Sequence, residues 1–336
     1  MKTALFGFAG TGKTELFRAL AEPDKNITDQ AIVKVPEPRL TPLVELFHPQ
    51  KVTYTEIEYL DIPGGEEKKQ GLGQRVVNAI RPYECLLAVL DAFSGLSSPE
   101  EQQREIETDL VINDLSVVEK RLERLQNDKK KAKNLANPRE ESLLHEIKEE
   151  LDQGYPLRKK EKLQVIPELK GFGFLSAKPI IYVWNTPEDG IYSQSLPENN
   201  QTEGHIALSA KFERELTELD NPEDVGTFLN DLGLVQPARE TIITKTYDLL
   251  GLITFLTAGE KEVRAWAIPK GNTAQEAAGA IHSDIQKGFI RAEVLSWNDF
   301  DNCRSFKKAK EKGVLRLEGK DYIVQDGDII TFRFNV

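Results

Sequence analysis

Short apolar runs separated by turn residues set the pattern at the start of the chain. Thr3–Phe6, Tyr54–Leu60 and Leu86–Leu90 read as strands with helix-like stretches between them, the alternation of an α/β sheet. Between residues 100 and 170 glycines thin out and Glu, Lys, Arg and Leu dominate. There Val111, Leu115, Val118, Leu122 and Leu125 are spaced by 4, 3, 4 and 3 residues, a heptad seam. After a break at Asn134–Pro138, Leu144, Ile147 and Leu151 continue at helical spacing until Gly154, where a helix can end. Two such helices joined by a short turn predict an antiparallel coiled-coil hairpin. The α/β pattern resumes with Pro179–Trp184 and His205–Leu208, so the hairpin reads as an insertion in the first domain. From about residue 245, Glu262–Ile268, Glu293–Ser296, Tyr322–Val324 and Ile329–Phe334 read as strands, with a helix at Thr273–Lys287, a small α+β module.

Composition fits this division. The 336 residues, 39% hydrophobic and 29% charged, suit a globular protein of about two domains. Lys+Arg 44 against Asp+Glu 55 leaves a net charge of −11, which excludes a polycation that coats nucleic acid but not a local basic patch. Residues 248–336 carry 13 basic and 13 acidic side chains, so the acidity lies upstream. The hairpin tip, 120–133, is the exception, with seven basic and two acidic residues. A +5 tip could meet RNA phosphates, but by charge pattern alone it reads first as the solvated end of a coiled coil. Arg304–Lys312 is a second basic stretch and reads as surface. Cys85 and Cys303 cannot build a disulfide framework, and His48, His145, His205 and His282 show no paired metal spacing. The run Ala4–Ala9 is too short for a secretory signal and no run approaches the roughly 20 apolar residues of a membrane span. A soluble, cytoplasmic protein with no membrane partner is expected.

The chemistry is concentrated in one string. Gly7-Phe8-Ala9-Gly10-Thr11-Gly12-Lys13-Thr14 fits G-x-x-x-x-G-K-[ST] at every defined position, after an apolar strand and before a helix over Lys13–Ala21. Its glycines allow a tight loop whose N–H groups converge on phosphate oxygens, aided by the partial positive charge of the helix start. Gly7, Ala9, Gly10, Thr11, Gly12, Lys13, Thr14 and Glu15 are therefore the expected phosphate side, with Lys13 neutralising β- and γ-phosphate charge and Thr14 on Mg²⁺. Asp61-Ile62-Pro63-Gly64 ends the next strand: Asp61 suits the metal and Gly64 lets a backbone N–H approach the γ-phosphate. Asn185-Thr186-Pro187-Glu188 and Ser209-Ala210-Lys211 supply the base side. Guanine readers place Asp three residues after that Asn. Glu188 is a methylene longer and fits guanine poorly, although Asp189 follows and a shift of register would restore guanine reading.

These strings resemble the YchF/Obg-like ATPases, Obg-type P-loop switch proteins similar to GTPases in fold. The resemblance also rests on Val35-Pro36-Glu37-Pro38-Arg39-Leu40, Gly71-Leu72-Gly73 and Val118–Leu125. It is densest at the end, in Phe255–Gly259, Glu262–Trp266, Lys287–Glu293 and Gly319–Asp328, which look like the family's TGS domain. It implies a Ras-like P-loop domain over 1–98 and 173–244, an inserted helical coiled coil over 99–172, and a ubiquitin-like β-grasp TGS domain over 245–336. It further implies ATP and Mg²⁺ in the pocket, slow hydrolysis to ADP, and association of a monomeric protein with ribosomes, with rRNA reached through the hairpin tip and the TGS domain. Lys13, Thr14, Asp61 and Gly64 would be the catalytic set, with Asn185, Glu188, Ser209, Ala210 and Lys211 around the base.

Three positions depart from the family pattern. Gly10 replaces an Asn linked in related switches to a monovalent cation, so no such cation is assigned. Only Thr28 is available in switch I as a further Mg²⁺ ligand, without the usual Pro-Asn pair. Gly65 stands where Ras-like proteins keep a catalytic Gln, and Glu66 or Glu67 in a Glu-Glu-Lys-Lys run reads more simply as solvated loop. Slow phosphoryl transfer is the leading expectation; a GTPase, or a nucleotide-gated ribosome-binding module with negligible turnover, stays open.

Overall fold

The computed structural model describes residues 1–21, 29–64, 71–131, 138–160, 166–188, 196–219, 221–231 and 233–335. They form two compact units, Met1–Val33 with Glu58–Ile242, and Lys34–Ile57 with Ile243–Val336. Among the described residues no helix is long and apolar enough to cross a membrane.

The first unit is built on a six-stranded sheet. Its strands are β1 (Lys2–Gly7), β2 (Gln30–Lys34), β4 (Glu56–Asp61), β5 (Cys85–Asp91), β6 (Ile180–Asn185) and β7 (Glu203–Leu208), in the order β2-β4-β1-β5-β6-β7. The pairings of β1 with β4 and β5, of β5 with β6 and of β6 with β7 are all parallel. Parallel strands covered on both faces become continuous apolar runs, and β5 and β6 are buried along nearly their whole length. Helix α1 (Lys13–Leu20) buries Leu16, Phe17, Ala19 and Leu20, and α3 (Gly73–Ile80) buries Val76, Val77 and Ile80.

The hairpin is α4 (Pro99–Lys131) and α5 (Pro138–Asp152). Val111, Val118, Leu122 and Leu125 pack with Leu144, Ile147 and Leu151, so the heptad seam is the buried stripe. Gly154, at φ +79°, ends α5: its N–H donates to Leu151 and that of Tyr155 to Glu150, the paired bonds that close a helix through a left-handed residue. The root of α4 lies in the first unit's core, because Ile106 and Leu110 pack with β1, β5 and β6. A boundary at residue 98/99 therefore cuts across one packed core.

After α6 (Ala210–Thr217), α7 (Pro222–Asp231) and α8 (Ala238–Leu249) come β8 (Leu252–Ala258), β9 (Glu262–Pro269), α9 (Ala274–Ile281), α10 (Ser283–Lys287), β10 (Phe289–Leu295), α11 (Trp297–Cys303), α12 (Phe306–Glu311), β11 (Arg316–Glu318) and β12 (Ile329–Phe334). The second unit's sheet runs β11-β10-β12-β8-β9-β3, with β8 and β12 parallel, the arrangement of a β-grasp fold. Its last strand, β3 (Lys51–Thr53), pairs parallel with β9 through Lys51↔Glu262. Helix α2 (Leu40–Phe47) places fully buried Leu40 and Leu43 in a core with Leu256, Val263, Leu295 and Phe300. Residues 34–57, assigned by sequence to the nucleotide domain, thus belong to the second unit, and the predicted strand Tyr54–Leu60 is where the chain returns to the first.

Val35–Leu40 is a clasp within that unit. Arg39 donates to Glu37 at 2.7 and 2.6 Å and to Asp326 at 2.7 Å, while Asp326 accepts from the Thr254 N–H at 2.8 Å. Burial alone would lower the Arg39 pKa, but the hydrogen bonds with Glu37 and Asp326 hold it above its ordinary value. Gly327 stands at φ +83°, a backbone that favours glycine, and a Cβ there would also crowd the Arg39 guanidinium at 2.5 Å and Trp297 Cβ at 3.1 Å.

Two local readings change. Tyr322–Val324 is no strand: only Ile323 makes an isolated bridge, to Thr273, because the Asp328 carboxylate draws in the Tyr322 hydroxyl and the Gln325 N–H as a turn. The helix Thr273–Lys287 breaks at His282, whose extended backbone (φ −164°) and Nδ1 cap a second helix through the Asp284 N–H.

If residues 34–57 complete the second unit's core, Leu43→Ala destabilises that unit by about 2–5 kcal/mol. Amide exchange should then quicken in β8 and β9 and stay unchanged in β1 and β5; loosening of β1 instead would contradict the assignment.

Candidate nucleotide site

The glycine-rich string leaves β1 and turns into α1 through two left-handed glycines, Gly10 at φ +83° and Gly12 at φ +82°. Gly12 caps α1 without a side chain, leaving the N–H groups of Lys13, Thr14 and Glu15 without intrahelical acceptors. Thr11 is buried and its hydroxyl donates to the Phe8 carbonyl at 3.1 Å, holding the loop in a tight turn. Gly7 has no room for a side chain, since a Cβ would lie 2.5 Å from the Val89 carbonyl oxygen.

Asp61 reaches the loop because β4 runs beside β1, with Leu5 opposite Asp61. The Thr14 hydroxyl donates to Asp61 Oδ2 at 3.2 Å and Lys13 Nζ stands 3.7 Å from Oδ1. Asp61 Oδ1 is buried and accepts no hydrogen bond, and its charged neighbour, the Lys13 ammonium, stands beyond hydrogen-bond distance. Gly64 lies against the loop, where a Cβ would stand 3.4 Å from the Gly7 carbonyl and 3.7 Å from the Ala9 nitrogen.

Asn185 ties the base side to the phosphate side. Its Nδ2 donates to the Thr11 carbonyl at 2.9 Å, and its Oδ1 accepts from the Ala210 N–H at 2.9 Å. Ser209 caps α6 by accepting from the Phe212 N–H, which fixes the turn carrying Ala210 and Lys211. Lys211 Nζ lies 3.5 Å from Glu188 Oε1, so the two charged residues expected at the base meet each other. Among the described residues no cluster of three or more His, Cys, Asp and Glu could hold a metal by itself.

The predicted residues from Gly7 to Thr14 thus converge with Asp61, Gly64, Asn185 and Ala210. Glu15 differs in one respect: its carboxylate pairs with Arg214 at 2.7 Å and Arg18 at 3.3 Å, joining α1 to α6, and only its backbone N–H belongs to the helix start. Arg214 escaped sequence reasoning because nothing local links it to a residue 199 positions away. Thr28, Gly65, Glu66, Glu67 and Asp189 lie outside the described residues.

Comparison with known proteins follows the same division. Residues 2–137 match the family described as 50S ribosome-binding GTPase, and residues 252–335 match YchF-GTPase_C, described as a protein of unknown function (DUF933). The ribosome-binding ATPase YchF of Pasteurella multocida (strain Pm70) is 38% identical over 365 residues, covering 100% of this chain and 99% of the relative. The chain belongs to the YchF family. The Bacillus subtilis (strain 168) ribosome-binding ATPase YchF is 36% identical over 370 residues with both chains fully covered. The Schizosaccharomyces pombe YchF GTPase superposes with a TM-score of 0.88 at 26% identity, covering 99% of this chain and 97% of that one. A GTP-binding protein from Pyrococcus horikoshii OT3 (TM-score 0.64, 17% identity, both chains fully covered) shares the fold.

The two left-handed glycines differ in what surrounds them. A Cβ on Gly12 would fall 2.1 Å from Asn185 Nδ2, whereas one on Gly10 meets nothing within 4 Å. Thermal unfolding should therefore show Gly10→Ala costing about 1–2 kcal/mol of backbone strain and Gly12→Ala clearly more, through loss of the Asn185 bonds. Equal losses would contradict this packing.

Proposed function

We propose that this YchF protein is a Mg²⁺-dependent ATPase switch that acts on ribosomes in the cytoplasm. The observation that carries the reading is the buried Asp61 oxygen that accepts no hydrogen bond and faces Lys13, with Thr14 on the other oxygen, beside a loop whose helix-start N–H groups lack intrahelical acceptors. A divalent cation suits that donor set: a hydroxyl and a carboxylate, with phosphate oxygens to complete it. Thr14 and Asp61 would hold Mg²⁺, which when bound offsets phosphate charge.

The chain's own residues supply the remainder. Loop and α1 N–H groups bind the phosphates, and Lys13 stabilises negative charge on the transferring phosphoryl group. Gly64 brings a backbone N–H towards the γ-phosphate and so distinguishes triphosphate from diphosphate. Gly65 in place of glutamine supports slow turnover, since no side chain at that step orients water. At the base, Asn185 holds the loop, and pairing with Lys211 leaves Glu188 poorly suited to accept both guanine N–H groups. That favours ATP, in keeping with the names of the bacterial relatives; the name of the S. pombe relative favours GTP as the second reading.

For the ribosome, the hairpin tip and the TGS-like unit are the proposed contacts. The tip is less basic than its composition suggests: Arg121 pairs with Glu140, and Lys129 with Glu141. Lys120, Arg124 and Lys130 are exposed and would carry the phosphate contacts.

Competition of ATP and GTP for the purified chain tests the base assignment. ATP should win by at least about tenfold, roughly 1.4 kcal/mol, and Glu188→Asp should narrow the gap; equal or better GTP binding by the wild type would favour the second reading. Ribosome co-sedimentation should be stronger with a non-hydrolysable ATP analogue than with ADP and weaken when Lys120, Arg124 and Lys130 become Glu. No pelleting with any nucleotide removes the ribosome from the account.

A further inference from the structure

Helix α12 carries the second basic stretch of the sequence, and the fold makes no use of its charge. Within residues 304–312, Arg304, Lys307, Lys308, Lys310 and Lys312 stand against a single acid, Glu311. Arg304 pairs with Asp301, whereas among the described residues the four lysines form no ion pair. All four are exposed. At the hairpin tip, by contrast, Arg121 and Lys129 are taken up by Glu140 and Glu141.

Helix stability does not account for these lysines. Lys308 and Lys310 lie in the last turn of α12, where the helix dipole favours a cation, but Lys307 lies in the first turn, where it does not. Helices α9, α10 and α11 place an acid in that turn: Glu276, Asp284 and Asp299. The support beneath the lysines is fixed. Ser305 caps α12 by accepting from the Lys308 N–H, Ala309 is fully buried, and Phe306 packs on Phe47 and Phe300 with ring centroids 5.5 and 5.7 Å away. Gly313, at φ +70°, closes the other end: its N–H donates to Lys310 at 3.1 Å and that of Val314 to Ala309 at 3.1 Å. With Phe306 and Ala309 packed into the core, the outer face of α12 is lysine and Glu311.

Charge geometry selects the partner. The four lysines span about 8 Å at 1.5 Å per residue, roughly one Debye length at physiological salt, so they act together while distant acids of this chain of net charge −11 are screened. A nucleic-acid duplex carries about one phosphate charge per 1.7 Å of axis, roughly four to five along such a patch. A protein partner or a lipid surface calls for apolar area at the centre of the contact, which this face lacks.

We infer that Lys307, Lys308, Lys310 and Lys312 form a docking surface for RNA backbone phosphates, through which the TGS-like unit meets the ribosome. Such contacts set affinity and orientation without reading sequence. The ribosomal setting rests on the proposed function, whereas the phosphate contact does not.

Binding of the full chain to an RNA duplex of about 20 base pairs and arbitrary sequence, titrated between about 50 and 200 mM salt, keeps the two apart. Wild-type affinity should fall as salt rises, and Lys307→Gln, Lys308→Gln, Lys310→Gln and Lys312→Gln together should lower the slope of log affinity on log salt by about three to four, about one per lysine. The same variant should bind ribosomes at least about tenfold more weakly on co-sedimentation, with its thermal midpoint unchanged. Should it not fold, Lys308→Gln with Lys312→Gln, four residues apart on one side of the helix, should lower the slope by about two. An unchanged slope, or wild-type ribosome binding that loss of the four lysines leaves intact, overturns the inference. So does a wild type that prefers polyglutamate to the duplex, which would point to an acidic protein partner. A wild type that binds the duplex but pellets with ribosomes under no nucleotide overturns the ribosomal part of the proposed function instead, and the duplex alone then decides the patch.

Discussion

The nucleotide site depends on the closeness of Asn185 to the phosphate loop. One buried amide donates to Thr11 and accepts from Ala210, so the loop that would bind phosphates and the turn that would face the base are set by the same side chain. The approach is possible only because Gly12 lacks a Cβ, and the left-handed turn there also frees the first N–H groups of α1. Close packing, phosphate recognition and base placement therefore share one constraint. A buried amide that satisfies two backbone groups at once is costly to remove, because each partner would be left unpaired.

A second constraint is covalent. Residues 34–57 leave the first unit from β2 and return to it through β4, and in between they supply a helix and an edge strand to the second unit. Asp61 stands at the end of the returning strand. The clasp of Arg39 between Glu37 and Asp326 and the burial of Leu40 and Leu43 hold this segment firmly in the second unit. The two units are thus interleaved in sequence. The β-grasp unit contains a segment drawn from between the two halves of the phosphate site's own sequence.

The parts legible in the sequence are those written in local spacing. The phosphate loop follows from eight consecutive residues, and the hairpin from a seam whose members are near in sequence and buried together. Position 34–57 was illegible for the opposite reason: β3 is defined by partners such as Glu262, far along the chain, and no local pattern announces so distant a pairing. Tyr322–Val324 misleads because a short run of β-branched and aromatic residues imitates a strand, while Ile323 is in fact exposed and Asp328 makes a turn. The lysines of α12 look like an ordinary solvated face. What separates them from the hairpin tip is which cations find an acid in space, and spacing along the chain does not show that.

Lys13, Thr14 and Asp61 are together proposed as a phosphoryl-transfer site. Steady-state ATP hydrolysis by the purified chain, with Mg²⁺ present or chelated and with Lys13→Ala alongside, tests it most directly. Turnover should be slow but measurable, need Mg²⁺ and fall at least about a hundredfold in the variant, the scale of losing one dedicated charge-stabilising group. Turnover that survives chelation, or that Lys13→Ala leaves unchanged, would contradict it.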